Sequence, residues 1–225
     1  MIKVIVFDLW NTLIPATIDF VHLSALTRKE GLSLPRFIEK YEKGVQLKKY
    51  SSFEELRKDF FKTFNQGDNV VLEQELAEVY GNRMDKIRFF PDVEKNLLKL
   101  KKQGYKLVLL SNNESIAAAK IESSLNISNY FDTVFYSFDI GFVKPDTESF
   151  LPVLKEFKIK PDEALMVGDS LRSDIIGSQK VRMHNCLINR LGKVIDYANA
   201  KPEFEIKSLD ELYRVLGGLN ANKKS

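Results

Sequence analysis

The sequence predicts an α/β protein, a doubly wound parallel sheet with helices on both faces and an inserted all-helical segment. Three observations predict it. The chain opens on an almost unbroken apolar run, Lys3 to Leu13, interrupted by Asp8, and such runs suit strands of a parallel sheet buried on both faces. From Pro91 onward, short apolar runs alternate with amphipathic stretches, as right-handed strand–helix–strand crossovers require. Between the two, from Pro15 to about Phe90, apolar residues recur at helical spacing without a convincing strand.

Composition limits what such a chain can do. The 225 residues, 44% hydrophobic and 11% aromatic, support a real core and exclude general disorder. The net charge of +3 is a small difference between 34 basic and 31 acidic residues. No basic block stands out beyond the tail Asn222-Lys223-Lys224-Ser225, so there is no electrostatic footprint for nucleic acid. Cys186 is the only cysteine, which excludes an internal disulfide and a thiolate metal cluster. It is expected in a buried strand. No apolar run approaches the roughly 20 residues that span a bilayer, and the amino terminus reads as a strand rather than a signal peptide. We expect a soluble, cytoplasmic protein with no membrane partner; its oligomeric state is unreadable.

The first strand ends at Asp8, followed by Asn11-Thr12. The helical segment 15–90 then shows about four stripes. Ile18, Val21, Ala25 and Leu26 form one; Phe37, Ile38, Tyr41 and Val45 the next; Phe53, Leu56, Phe60, Phe61 and Phe64 a third; Leu72, Leu76, Val79 and Tyr80 the last. Ser52 with Glu55 reads as a capping box, and Gly31 and Gly67-Asp68-Asn69 as stops. These aromatics read as core, the interleaved charges as solvated faces, and His22 as structural. Inserted after the first strand, the segment is expected above the sheet's carboxyl edge, as a cap.

The second part predicts a helix from Asp92 to Gln103 closed by Gly104, then the strand Lys106 to Leu110 ending in Ser111-Asn112-Asn113. A helix from Glu114 to Leu125 precedes the short strand Thr133 to Tyr136, which runs into Val143-Lys144-Pro145-Asp146. After a helix from Thr147 to Phe157, the strand Ala164 to Val167 ends in Gly168-Asp169-Ser170. A helix from Arg172 to Val181, the strand Asn185 to Ile188, the strand Phe204 to Ile206 and a helix from Leu209 to Leu216 complete the fold. The expected boundaries are a core of 1–14 and 91–220, a cap of 15–90 and a flexible tail of 221–225.

Successive strand ends thus offer Asp8, Ser111, Lys144 and Asp169, with Asp174 one helical turn beyond. Singly, each has a plain reading as a turn, cap or surface residue. Together they converge on the carboxyl edge of one sheet, where α/β proteins bind ligands. Several carboxylates at one point need a cation, and oxygen-only ligands suit Mg²⁺. A lysine and a hydroxyl beside it would hold an anion such as a phosphoryl group, which an ionised Asp can attack to give an acyl phosphate.

Phe7-Asp8-Leu9-Trp10-Asn11-Thr12-Leu13, Leu110-Ser111-Asn112, Val143-Lys144-Pro145-Asp146 and Val167-Gly168-Asp169-Ser170 with Asp174 resemble, in order and spacing, the four motifs of the haloacid dehalogenase superfamily. The resemblance implies a Rossmann-like core with a helical cap inserted after the first motif. It further implies Asp8 as nucleophile, Ser111 and Asn112 as phosphate-binding groups, and Lys144 as the cation steadying nucleophile and phosphoryl oxygens. Mg²⁺ would be held by Asp8, the backbone carbonyl of Trp10 and Asp169, with Asp174 as a further ligand or a supporting group. The implied partner is a small phosphorylated molecule.

One position departs from the pattern. The family's phosphatases usually carry a second Asp two residues after the nucleophile, as general acid and then base. Here that residue is Trp10. An indole can donate a hydrogen bond but cannot exchange a proton near neutral pH, and general acid–base help is typically worth about 10²–10⁴-fold. The resemblance therefore allows three functions: a Mg²⁺-dependent phosphatase of reduced or specialised activity, a 2-haloacid dehalogenase with Asp8 displacing halide, or a binding protein whose catalysis has decayed. Trp10 favours the dehalogenase, whose family members carry an aromatic there. The retained Asp169 and Asp174 favour the phosphatase, since they would repel Asp8 without a cation.

Overall fold

The six strands of the described residues run parallel, in the order Thr133–Tyr136, Lys106–Ser111, Val4–Phe7, Ala164–Gly168, His184–Ile188 and Phe204–Ile206. The structure is a computed structural model and describes residues 1–18, 20–26, 31–67, 69–190, 192 and 200–221. β1 (Val4–Phe7) is central, flanked by β2 (Lys106–Ser111) and β4 (Ala164–Gly168). β3 (Thr133–Tyr136) and β6 (Phe204–Ile206) are the edges, and β5 (His184–Ile188) lies inside β6. Phe7 pairs with Leu109 on one side and Val167 on the other. The chain order reverses between β1 and β4, which makes their carboxyl ends the expected crevice of an open α/β sheet.

Alternation along each strand divides the core in two. Ile5, Phe7, Leu107, Leu109, Leu165 and Val167 face a cluster with Leu97 of α5 (Val93–Lys102), Ile121 of α6 (Ser115–Leu125) and Leu216 of α10 (Leu212–Ala221). Val4, Val6, Val108, Leu110 and Met166 face the other way, onto Phe150, Val181 and Val153 of α8 (Leu151–Phe157). With the side-chain period fixed at two, strands this apolar need helices on both faces. Cys186 is buried in β5, and burial pushes its thiol up to about 12.

Between β1 and α5 the chain is helical: α1 (Phe20–Leu26), α2 (Leu34–Gly44), α3 (Phe53–Thr63) and α4 (Val70–Glu78), the last passing into a π-helical turn at Val79–Arg83. Phe37, Tyr41, Val45, Leu56, Phe60, Phe64, Leu72, Leu76, Val79 and Tyr80 are buried as their spacing predicts. The first stripe is different. Leu23, outside that stripe, is buried in α1, while Ile18 and Ala25 are half-buried; the side chains of Val21 and Leu26 lie outside the described residues.

Local signals also resolve differently. Ser52 Oγ accepts from Glu55 N–H at 3.3 Å, but the Glu55 carboxylate accepts from Ser51 instead of closing the box on Ser52. Asn69 caps the start of α4 by accepting from Leu72 N–H. The turn before it is made by Asn65, in the left-handed region at φ 47, which Asn tolerates better than most residues. The stretch expected as one helix from Arg172 is a π turn, Leu171–Ile176, followed by the single-turn helix α9 (Gly177–Lys180). A similarly short helix, α7 (Ser137–Ile140), follows β3. Ala221 belongs to α10 rather than to a tail, and 222–225 lie outside the described residues.

The loop after β1 is tied to the rest of the core. Arg190 donates to the Thr12 carbonyl at 2.9 Å and makes a two-pronged ion pair with Asp92, whose carboxylate also accepts from Leu209 N–H. Bidentate pairs of this kind fix orientation as well as charge.

Candidate active site

The carboxyl ends of β1, β2 and β4 bring the candidate residues to one crevice. Asp8 follows β1 directly, its N–H donating to the Val167 carbonyl at 2.9 Å. Lys144 comes from the loop after α7, beside a cis bond to Pro145. Its Nζ donates to Asp8 Oδ1 at 2.7 Å and to Asp174 Oδ1 at 2.6 Å. Lys144 and Asp174 are both 1% exposed. Asp174 is drawn back over the end of β4, where its other oxygen accepts from Ser170 N–H at 3.0 Å. Gly168 permits this, because a Cβ there would overlap the Asp174 carboxylate.

One carboxylate oxygen from each of Asp8, Asp169 and Asp174 lies within 4.8 Å of the others. Electrostatics reflect this crowding. Burial, reinforced by the charge of Asp174 and opposed by Lys144, raises Asp8 to about 6. Burial and the charges of Asp8 and Asp174 hold Asp169 well above the usual carboxylate range. Burial alone would push Lys144 down, but the Asp174 and Asp8 carboxylates outweigh it and raise it. Three acids against one lysine leave a negative excess in a buried place, and the donors are all oxygen, so this donor set suits a hard divalent cation.

Supporting residues that the motifs did not single out complete the site. Thr12, fully buried, donates its hydroxyl toward Asp8 Oδ2 at 3.4 Å. Asn11 adopts φ 55, and its side chain favours the ionised form of Asp169. Glu42 of α2 is buried, accepts from Arg172 Nη1 at 2.6 Å and from Asn112 Nδ2 at 3.0 Å, and burial raises its carboxyl against the opposing pull of Arg172. Sequence spacing assigns Glu42 to a solvated face; no local signal distinguishes it from its neighbour Glu39, which is far more exposed.

Asp8, Trp10, Asn112, Lys144, Asp169 and Asp174 all line one cavity of about 440 Å³, with residues of α2 and of the π turn after α4 on its far side. Ser111 is not in that wall. It closes β2, 1% exposed, and its Oγ has no hydrogen-bond partner among the described residues. The Asn112 side chain is occupied by protein, holding both the N–H and the carbonyl of Lys144. The cap of α6 is Glu114, which accepts from Ile116 and Ala117 N–H. His22 is outside the wall, 3.6 Å from Glu75.

A family model described as haloacid dehalogenase-like hydrolase matches residues 2–181. The chain belongs to that family of hydrolases. Among relatives of this hydrolase, the glyceraldehyde 3-phosphate phosphatase of Pyrococcus furiosus is 29% identical, over 99% of this chain and 96% of its own length. A HAD phosphatase from Thermococcus onnurineus is 28% identical with a TM-score of 0.64, covering 96% of this chain and 99% of that one. A 2-haloacid dehalogenase from Pseudomonas syringae pv. Tomato DC3000 shares the fold, with a TM-score of 0.65, 24% identity, and coverage of 97% and 99%. No described helix of this HAD-like hydrolase is long and apolar enough to cross a membrane.

Proposed function

We propose that this hydrolase is a Mg²⁺-dependent phosphatase of a small phosphorylated molecule, working through an aspartyl phosphate on Asp8. The observation that carries the reading is the Lys144 ammonium seated between Asp8 and Asp174, with Asp169 completing an all-oxygen cluster. Asp8 Oδ1 is held by the lysine and Oδ2 is approached by the Thr12 hydroxyl, so the carboxylate is oriented for attack. Lys144 keeps Asp8 ionised and offers positive charge to phosphoryl oxygens. The unpaired Ser111 hydroxyl favours an added acceptor at the end of β2, and Asn112 acts by positioning Lys144. Asp8, Asp169 and the Trp10 carbonyl, with Asp174 behind them, are the groups that would hold Mg²⁺. When bound, the ion neutralises the carboxylates and the phosphoryl charge.

In this reading 15–90 is a cap over a core of 1–14 and 91–220, and the enzyme works in the cytoplasm. The two phosphatase relatives at 28–29% identity support it. Trp10 in the cavity wall favours a second reading, halide displacement from a 2-haloacid by Asp8. The carboxylate cluster opposes that, because a metal-free mechanism has no use for two further acids beside the nucleophile.

The test is a panel of phosphomonoesters, acyl phosphates and 2-haloacids with and without Mg²⁺, joined to Mg²⁺ titration calorimetry. We expect Mg²⁺-dependent phosphate release, abolished by Asp8→Asn, and heat of Mg²⁺ binding lost in Asp169→Ala. Metal-free dehalogenation would overturn the proposal, and silence across the panel with no Mg²⁺ heat would favour a binding protein.

A further inference from the structure

We propose that the substrate is an aryl phosphate, or an ester of a comparably acidic hydroxyl on an apolar frame. This rests on the phosphatase reading above and concerns the leaving group. The cavity that opens at Asp8 is also lined by the apolar side chains of Trp10, Ile18, Leu34, Ile38, Met84 and Ala117. Ile38 is the telling residue. Its helix neighbours Phe37 and Tyr41 are buried in the core, whereas Ile38 is only half-buried and faces the cavity. An apolar side chain left uncovered by the protein's own core gains by covering a ligand's apolar surface.

Several polar groups of this wall are committed to one another. The Tyr41 and Tyr80 hydroxyls lie 3.3 Å apart as a hydrogen-bonded pair, Glu42 is held by Arg172, and Asn112 by Lys144. Thr17 Oγ1 and Asn113 Nδ2 have no partner among the described residues. They can serve one polar substituent. A polyol brought into the same space would lose water without regaining its hydrogen bonds, which is costly.

The chemistry at Trp10 points the same way. As an Asp8 oxygen bonds to phosphorus, the bond from phosphorus to the leaving oxygen breaks and its electron pair departs with that oxygen. No carboxylic acid stands at the Trp10 position to protonate it. A phenol ionises near pKa ~10, as tyrosine does, so a phenolate departs without a proton. An aliphatic alkoxide is closer to hydroxide, whose conjugate acid water has a pKa of about 15.7. Water then attacks phosphorus, the bond to Asp8 breaks, and the water's proton leaves on inorganic phosphate or in solvent.

Two non-hydrolysable probes test this by calorimetry with the wild-type protein and Mg²⁺: 1-naphthylmethylphosphonate and 3,4-dihydroxybutylphosphonate. The aryl probe should bind at least about 10-fold tighter, as burial of one ring face predicts, and Ile38→Asp should collapse the difference. Equal affinities, or a preference for the diol, would overturn the proposal. Acetyl phosphate separates the two claims, since it needs no apolar wall. Its Mg²⁺-dependent turnover beside equal probe affinities leaves the phosphatase reading standing and removes this one. Silence of acetyl phosphate and of every phosphomonoester, with no Mg²⁺ heat, overturns both.

Discussion

Asn112 grips the peptide of Lys144 from both sides, accepting from its N–H at 2.8 Å and donating to its carbonyl at 2.9 Å. The same Asn112 amide nitrogen also reaches Glu42 on α2, so one side chain links the helical segment to the lysine that holds Asp8. Asn112→Ala would leave these buried groups unpaired, at a cost of about 1–3 kcal/mol, and let Lys144 drift from Asp8. We expect kcat for acetyl phosphate to fall about 10- to 100-fold, since small misplacements near the chemistry can cost about 10²-fold, while KM changes little. An unchanged kcat beside a loss of stability would reduce Asn112 to a packing role.

Lys144 bridges Asp8 and Asp174 of the carboxylate cluster and is 1% exposed. Lys144→Met keeps much of the volume but leaves Asp8 and Asp174 without their partner. Removing one member of a buried ion pair typically costs about 3–5 kcal/mol. Urea unfolding without metal should show a loss of that order, and saturating Mg²⁺ should restore part of it by binding the folded state. Unaltered metal-free stability would mean that the acids are neutral without the lysine.

Glu114 supplies a pH signature away from the reacting groups. It is fully buried and caps α6; burial raises it from 4.5 to about 7. A carboxyl whose folded pKa is raised stays protonated in the fold while the unfolded chain ionises. Stability from this group is therefore fully present below about pH 4.5 and declines as pH rises to about 7, by on the order of 3 kcal/mol. Glu114→Gln retains a cap acceptor but cannot ionise. The difference in unfolding free energy between wild type and Glu114→Gln should slope across this window, the variant gaining relative stability toward pH 8. A flat difference would show that Glu114 titrates normally.

Trp10→Asp tests the missing proton donor. For esters of aliphatic alcohols we expect a gain, up to the ~10²–10⁴-fold that general acid–base catalysis supplies. Aryl phosphates should gain much less, because a phenolate needs no proton to leave. No gain with either class would assign the proton to another group in the wall, such as Glu42.

What was legible in one dimension was whatever follows from local pattern. The apolar runs at Val4, Lys106, Thr133, Ala164 and Asn185 announced parallel strands because a strand buried on both faces has nowhere to place polar residues. Asp8, Lys144, Asp169 and Asp174 were legible because parallel strands present their next residues at one edge. The helical stripes from Phe37 to Tyr80 showed core by spacing alone. Contacts between residues distant in sequence have no such pattern. That Glu42 is buried against Arg172 and Asn112 while Glu39 is not, that the Asn112 side chain is engaged by the Lys144 peptide, and that Ile38 turns from the core toward the cavity depend on how α2 sits over the sheet. Packing of one segment on another decides which side of a helix meets a charge, a cavity or water, and sequence spacing carries only the angle between side chains.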